Sequence, residues 1–257
     1  MGGFLQAPSV PPRAEALRDA GATHAVYGIP FDGTTFFRTG SLHGPQAIRT
    51  ASAQFLPYHF DFDLDLADAI TLVDCGNTDT VPGNAAATFR RARADLAELH
   101  AAGVLPIVLG GEHSVTIPAT AALAEHLGSD PGSGSGGDTA APLALVVFDT
   151  HLDTAVDVAG ETLTYCAPVS RTLELERFSA ERSSLIGIHG PANPREELDW
   201  AREHGLHIYS MDEIEERGIV AVTDEAMRRA WNGVADAASD GVDGASGVAA
   251  DPSGIEA

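Results

Sequence analysis

At 257 residues the chain is long enough for one large α/β domain with a substantial apolar core. Its 37 acidic residues against 15 basic ones give a formal charge of -22, a surface that repels nucleic acid and anionic membranes. No run of about 18 apolar residues marks a transmembrane helix, and no basic and long apolar leader marks secretion, so a cytoplasmic location is expected.

All 15 basic residues are arginine. A surface this acidic suits either concentrated salt, where charges are screened, or a cationic substrate; the salt (halophilic) reading is the stronger. Cys75 and Cys166 are expected to be free thiols, since nothing in the sequence points to an oxidising compartment.

Residues 1–13 read as a loose, Pro-rich lead. Residues 24–30 (HAVYGIP) form a predicted strand that runs into the loop FDGTTFFRTGSLHGP. Pro45 suits a first helical position and opens a short helix, QAIRTASAQF. Residues 69–73 (AITLV) read as a strand ending in Asp74-Cys75-Gly76-Asn77. A helix is predicted over 84–102, with Asn84 as cap and Gly103 as stop. The strand 105–109 (LPIVL) ends in Gly110-Gly111, then Glu112-His113-Ser114, and a helix follows over 118–127.

Residues 129–140 are rich in Gly and Ser and read as a flexible surface loop. The apolar run 143–148 (LALVVF) reads as a buried parallel strand. Further strands are predicted at 184–188 and 206–210, and helices at 194–204, 211–217 and 224–238. Strands alternating with helices imply βαβ units, a mainly parallel sheet and helices on both faces. Residues 239–257 lack apolar periodicity and read as a disordered tail beyond a domain spanning 1–238.

The chemistry concentrates after the strand 143–148. On an extended chain Asp149, His151 and Asp153 share one side, at the strand end where α/β sheets bind ligands. Two carboxylates around an imidazole make a poor core and a good divalent-metal site. An acidic loop with a solvated histidine is the competing reading. His113 argues against it, because the Gly-Gly turn brings a fourth N/O donor over the same strand ends. Donors dominated by carboxylate suggest Mn²⁺ or a similar ion rather than a thiolate zinc site.

The motifs GGEHSVT and FDTHLDT, in this order, resemble the Gly-Gly-[Asp/Glu]-His-Ser and Asp-Ala-His-x-Asp motifs of the ureohydrolase superfamily of arginases and agmatinases. YGIPFDGTT, GSLHGPQAIR and DCGN resemble further family segments, and agmatinase is the nearest likeness. The resemblance implies a three-layer αβα arginase-like fold with a mainly parallel sheet. It implies two manganese ions, one held by His113, Asp149 and Asp153, the second by Asp149 and His151, with Asp149 bridging. Asp153 would also orient a hydroxide. The activity implied is hydrolysis of a small cationic guanidinium compound, agmatine first, in polyamine biosynthesis. Guanidinobutyrate, arginine and formiminoglutamate are the other substrates in view. The resemblance is compatible with a homo-oligomer.

The sequence departs from the family pattern in three ways. Leu42 stands where many relatives carry arginine. Cys166 stands at the family's proton-transfer histidine and Pro168 at its threonine, and a thiol is a poor substitute for an imidazole. The Ser-x-Asp-x-Asp motif that completes both metal sites has no counterpart, nor do the last strands, which lie mid-sheet in the family. The expectation is a C-terminally truncated or frameshifted ureohydrolase with open ladder positions and an incomplete second metal site. A non-catalytic family member or a fragment is the alternative.

Overall fold

The computed structural model describes residues 3–128 and 142–231. The Gly/Ser-rich stretch and the 239–257 tail therefore lie outside the described residues. In chain order the elements are α1 (Ala14–Asp19), β1 (His24–Ile29), α2 (Gly44–Ser52), β2 (Tyr58–His59), β3 (Leu64–Asp65), α3 (Leu66–Ala69), β4 (Leu72–Asn77), α4 (Ala85–Ala101) and β5 (Leu105–Gly110). Then come α5 (Thr116–Gly128), β6 (Val146–Phe148), α6 (Pro168–Leu173), β7 (Ser184–Ile188), α7 (Arg195–Glu203), β8 (His207–Ser210), α8 (Met211–Arg217) and α9 (Ile219–Trp231). No described helix is long and apolar enough to cross a membrane.

The strands form two parallel three-stranded sheets, ordered β4-β1-β5 and β6-β7-β8, with β2 and β3 as a small antiparallel pair. The expected parallel architecture is present, but as two half-sheets rather than one. In the first, Ala25, Tyr27, Ile29, Val73 and Cys75 pack on Phe89, Ala92, Leu96 and Leu99 of α4. In the second, alternation sends neighbours to opposite faces. Leu185 joins Ala201 of α7, whereas Ile186 joins Val222 and Ala226 of α9. Helices thus cover both faces, and each fully buried Leu or Ile contributes about 1.5–3 kcal/mol.

Local chemistry sets the boundaries. The Asn84 carboxamide accepts from the Ala87 amide at 2.9 Å and caps α4, which Gly103 closes at φ +75°. Several predicted boundaries shift. The 69–73 strand is displaced to β4, because Asp65 caps the Ala67 amide and residues 66–69 turn as α3. The helix opened by Pro45 stops at Ser52. The strand predicted over 143–148 is laddered only at β6; Leu143 instead makes an isolated bridge to Phe178. The last helix begins at Ile219, five residues earlier than predicted, and its predicted residues 232–238 lie outside the described ones.

Candidate metal centre

His113 enters the site through a tight turn at the top of β5. The Gly111 amide donates to Ile29 O at 3.1 Å, and a Cβ on Gly111 would stand 2.1 Å from Phe31 O. Only glycine lets the strand pass the 31–35 loop so closely. The buried Glu112 carboxylate then fastens that loop. It accepts from the Thr34 amide (3.1 Å), the Thr34 hydroxyl (2.5 Å), the Thr35 hydroxyl (2.7 Å) and the Ser114 hydroxyl (2.6 Å). Thr34 Oγ1 in turn accepts from the Tyr165 amide at 3.1 Å. Glu112 thus joins three loops around His113; among charged residues with buried carboxylates, four donors on one carboxylate is a strong positional constraint.

The other donors come from the turn after β6. The Asp149 amide still bonds to Ile186 O of β7 at 3.1 Å, but the chain then leaves the strand. Leu152 turns into the core, and its amide donates to Asn193 Oδ1 at 2.9 Å. Asp153 is buried and left-handed at φ +48°. Its carbonyl accepts from the Val169 amide at 3.1 Å, and the next residue is tied to α7: the Thr154 hydroxyl donates to Glu197 O at 2.8 Å. A non-glycine residue in this region is strained by about 1–3 kcal/mol and persists only where its surroundings hold it.

His113 Nδ1 lies 2.6 Å from Asp153 Oδ2 and 3.4 Å from Asp149 Oδ2. The three residues offer donor atoms within 4.8 Å of one another, a group that could hold one metal ion. Burial pushes the His113 pKa down, but the hydrogen bond and charge of Asp153, with the charge of Asp149, outweigh it and hold it above the ordinary value. A proton on Nδ1 thus sits where a cation would bridge the same donors.

His151, expected on the same side, does not join this group. Its ring is half exposed, with Nδ1 3.5 Å from Asp149 Oδ1. The period-2 argument fails here because the ladder stops at Phe148 and residues 149–153 turn. Asp149 nevertheless stands between the two histidines, one carboxylate oxygen toward each. Cys166 is half-buried near the site, its carbonyl accepting from the Ala155 amide at 2.9 Å. Burial, then the charges of Asp153 and Glu197, push its thiol up to about 11. The sequence reading assigned no role to Glu197, whose carboxyl is pushed up to about 7 by burial and by Asp153, against a hydrogen bond from the Thr154 amide. Its position at the start of α7 was legible, but its contact with Thr154 was not.

The sequence and the fold have known counterparts. The Arginase family model matches residues 22–237, and the chain belongs to the arginase family. It is 31% identical over 218 residues to the guanidinopropionase of Pseudomonas aeruginosa, covering 84% of this chain and 64% of that protein. It is 30% identical over 190 residues to the agmatinase of Bacillus subtilis, covering 74% of this chain and 59% of that one. Among solved structures, the proclavaminate amidinohydrolase of Streptomyces clavuligerus superposes with a TM-score of 0.77 at 28% identity, over 90% of this chain and 70% of that one. The chain thus spans about three fifths of the length of these two curated relatives.

Proposed function

We propose that this chain carries a manganese site of a guanidinium hydrolase, with agmatine the first substrate to test. The observation that carries the reading is the convergence of His113, Asp149 and Asp153 on one point at the ends of β5 and β6. One imidazole and two carboxylates fit a hard-to-borderline divalent ion such as Mn²⁺. Asp149 and His151 are the residues on hand for a second ion. When bound, such an ion lowers the pKa of water toward neutrality and stabilises negative charge that develops on the substrate carbon's substituents.

The protein's own part is positional. Asp153, fixed by its left-handed backbone and the Val169 bond, is placed to orient the attacking water. Cys166 stays a neutral thiol at pH 7 and contributes little as a proton carrier.

The described residues bring together three donors, enough to hold one ion tightly. Mn²⁺ titration with stoichiometry, paired with urea release from agmatine, tests the reading. One ion per chain is expected. His113→Ala should weaken its binding by more than the roughly 10–100-fold cost of losing an outer-sphere partner. No Mn²⁺ binding by the parent chain would end this proposal, and Mn²⁺ binding without urea release would end its choice of agmatine.

A further inference from the structure

The turn after β7 carries Pro191 and Pro194, which have no N–H to give, and Asn193 stands between them. An asparagine at the start of a helix ordinarily caps it. Here α7 begins at Arg195, its N-cap is Pro194, and that residue makes no side-chain cap bond. The Asn193 carboxamide turns instead to the loop after β6. Its Oδ1 accepts from the Leu152 amide at 2.9 Å, and its Nδ2 donates to Thr150 O at 3.1 Å and to His189 O at 2.9 Å.

Two of these partners bracket His151. Thr150 O and Leu152 N belong to the peptides on either side of it, so the carboxamide spans the turn that carries the chain away from the strand. Two donors and an acceptor on one planar group let Asn193 hold both peptides at once. Inside that turn the His151 amide donates to Asp149 Oδ1 at 2.9 Å. One oxygen of Asp149 is thereby tied to the main chain, and the other stays 3.4 Å from His113 Nδ1. On leaving the turn, Leu152 is 1% exposed and joins the core cluster of Val169, Leu185 and Ala201. Asp153 follows directly, with its left-handed backbone and its contact to His113 at 2.6 Å.

We infer that Asn193 is a positioning residue for the metal centre. By fixing the peptides around His151 it sets how the Asp149 and Asp153 carboxylates meet on His113. Its bonds go to main-chain groups, so it acts through the backbone of 150–152 and not as a ligand. Three residues separate the two carboxylates, and their convergence requires the chain to reverse between them. Asn193 is the side chain that bonds across that reversal. The role toward the metal rests on the proposed function; the bonds themselves do not.

Asn193→Ala in the full 257-residue protein removes the splint. Amide exchange at Leu152 should then quicken by about tenfold or more, with no metal present. Mn²⁺ affinity should fall by about 10–100-fold, the usual cost of losing a partner that orients a ligand. The electron paramagnetic resonance spectrum of the bound Mn²⁺ should also change at saturation. Gly103→Ala, which strains a helix end elsewhere, should leave the affinity and the spectrum at parent values. Asn193→Asp keeps the shape of the side chain and the acceptor for Leu152 but cannot donate to Thr150 O or His189 O. It should fold where the alanine variant fails, and still give an altered spectrum. Parent affinity together with a parent spectrum in either folded variant would overturn the inference, since faster exchange alone is what a merely structural bond produces. A parent chain that binds no Mn²⁺ would instead end the metal function and the positioning role with it, however Leu152 exchanges.

Discussion

Arg49 and Asp74 show how much one buried pair can set. Arg49 Nε and Nη2 grip Asp74 at 2.7 and 2.9 Å, and Nη1 donates to Asn77 Oδ1 at 2.7 Å. Asp74 also accepts from the Phe4 and Gly76 amides, so the amino-terminal turn, α2 and β4 meet on one carboxylate. Burial alone would raise its pKa; the Arg49 and amide hydrogen bonds outweigh it and hold the carboxyl below the ordinary value. The stability this confers is complete above the unfolded value of about 3.9 and is lost as pH falls through the lower folded value. Arg49→Met should cost about 3–5 kcal/mol at pH 7, by leaving a buried charge without its partner. It should also reverse the sign of the effect, since Asp74 then gains by protonation. Urea unfolding at pH 7 and pH 4 checks this: the gap between the two proteins should narrow on acidification. A constant gap would mean that Arg49 acts by packing alone. At this scale the sequence exposed His113, Asp149 and Asp153, because glycines and strand ends announce them. It could not pair Arg49 with Asp74, since nothing local links a helix residue to a strand in another segment. Nor could it show that residues 149–153 turn away from the strand, because no residue-level pattern shows where a ladder stops.

The elements were legible wherever an apolar run or a cap marked them. Met211–Arg217 and Ser184–Ile188 stand where periodicity put them. The short α6 helix has no apolar period to mark it, although Pro168 sits in its first turn, a position proline favours. The β2–β3 pair carries almost wholly exposed residues, so no buried face betrays it. The connection from β5 to its following turn gives the sharpest test at this scale. Gly111→Ala sets a methyl against Phe31 O and should cost about 1–3 kcal/mol, the usual range for overpacking. Because His113 follows two residues later, Mn²⁺ binding should weaken as well. Gly103→Ala is the control: its φ is +75° but nothing lies within 4 Å of the added Cβ. It should lower the thermal midpoint and leave Mn²⁺ binding unchanged. If both variants behave alike, the close approach of β5 to the 31–35 loop does not position the site.

For the molecule as a whole, charge is the dominant long-range term. With 37 acidic and 15 basic residues, the chain carries 22 uncompensated negative charges, most of which folding brings closer together. Such self-repulsion destabilises the compact state and fades as salt shortens the Debye length from about 10 Å at 0.1 M to about 3 Å at 1 M. Opposing this, surface pairs such as Arg195–Asp199 and Arg229–Glu225 weaken under the same screening. Exposed pairs contribute only about 0–1 kcal/mol each, and arginines are too few to neutralise the carboxylates. Repulsion should therefore win, and the thermal midpoint should rise with KCl from 0.1 to 2 M, most steeply at the low end where screening changes fastest. Reversing charge tests the cause: Glu→Arg replacements at exposed sites should raise the midpoint at low salt and flatten its salt dependence. A midpoint that falls with KCl would show that ion pairs, not net charge, govern this fold. A rise that appears with sulfate but not with chloride would assign the effect to strengthened apolar burial instead.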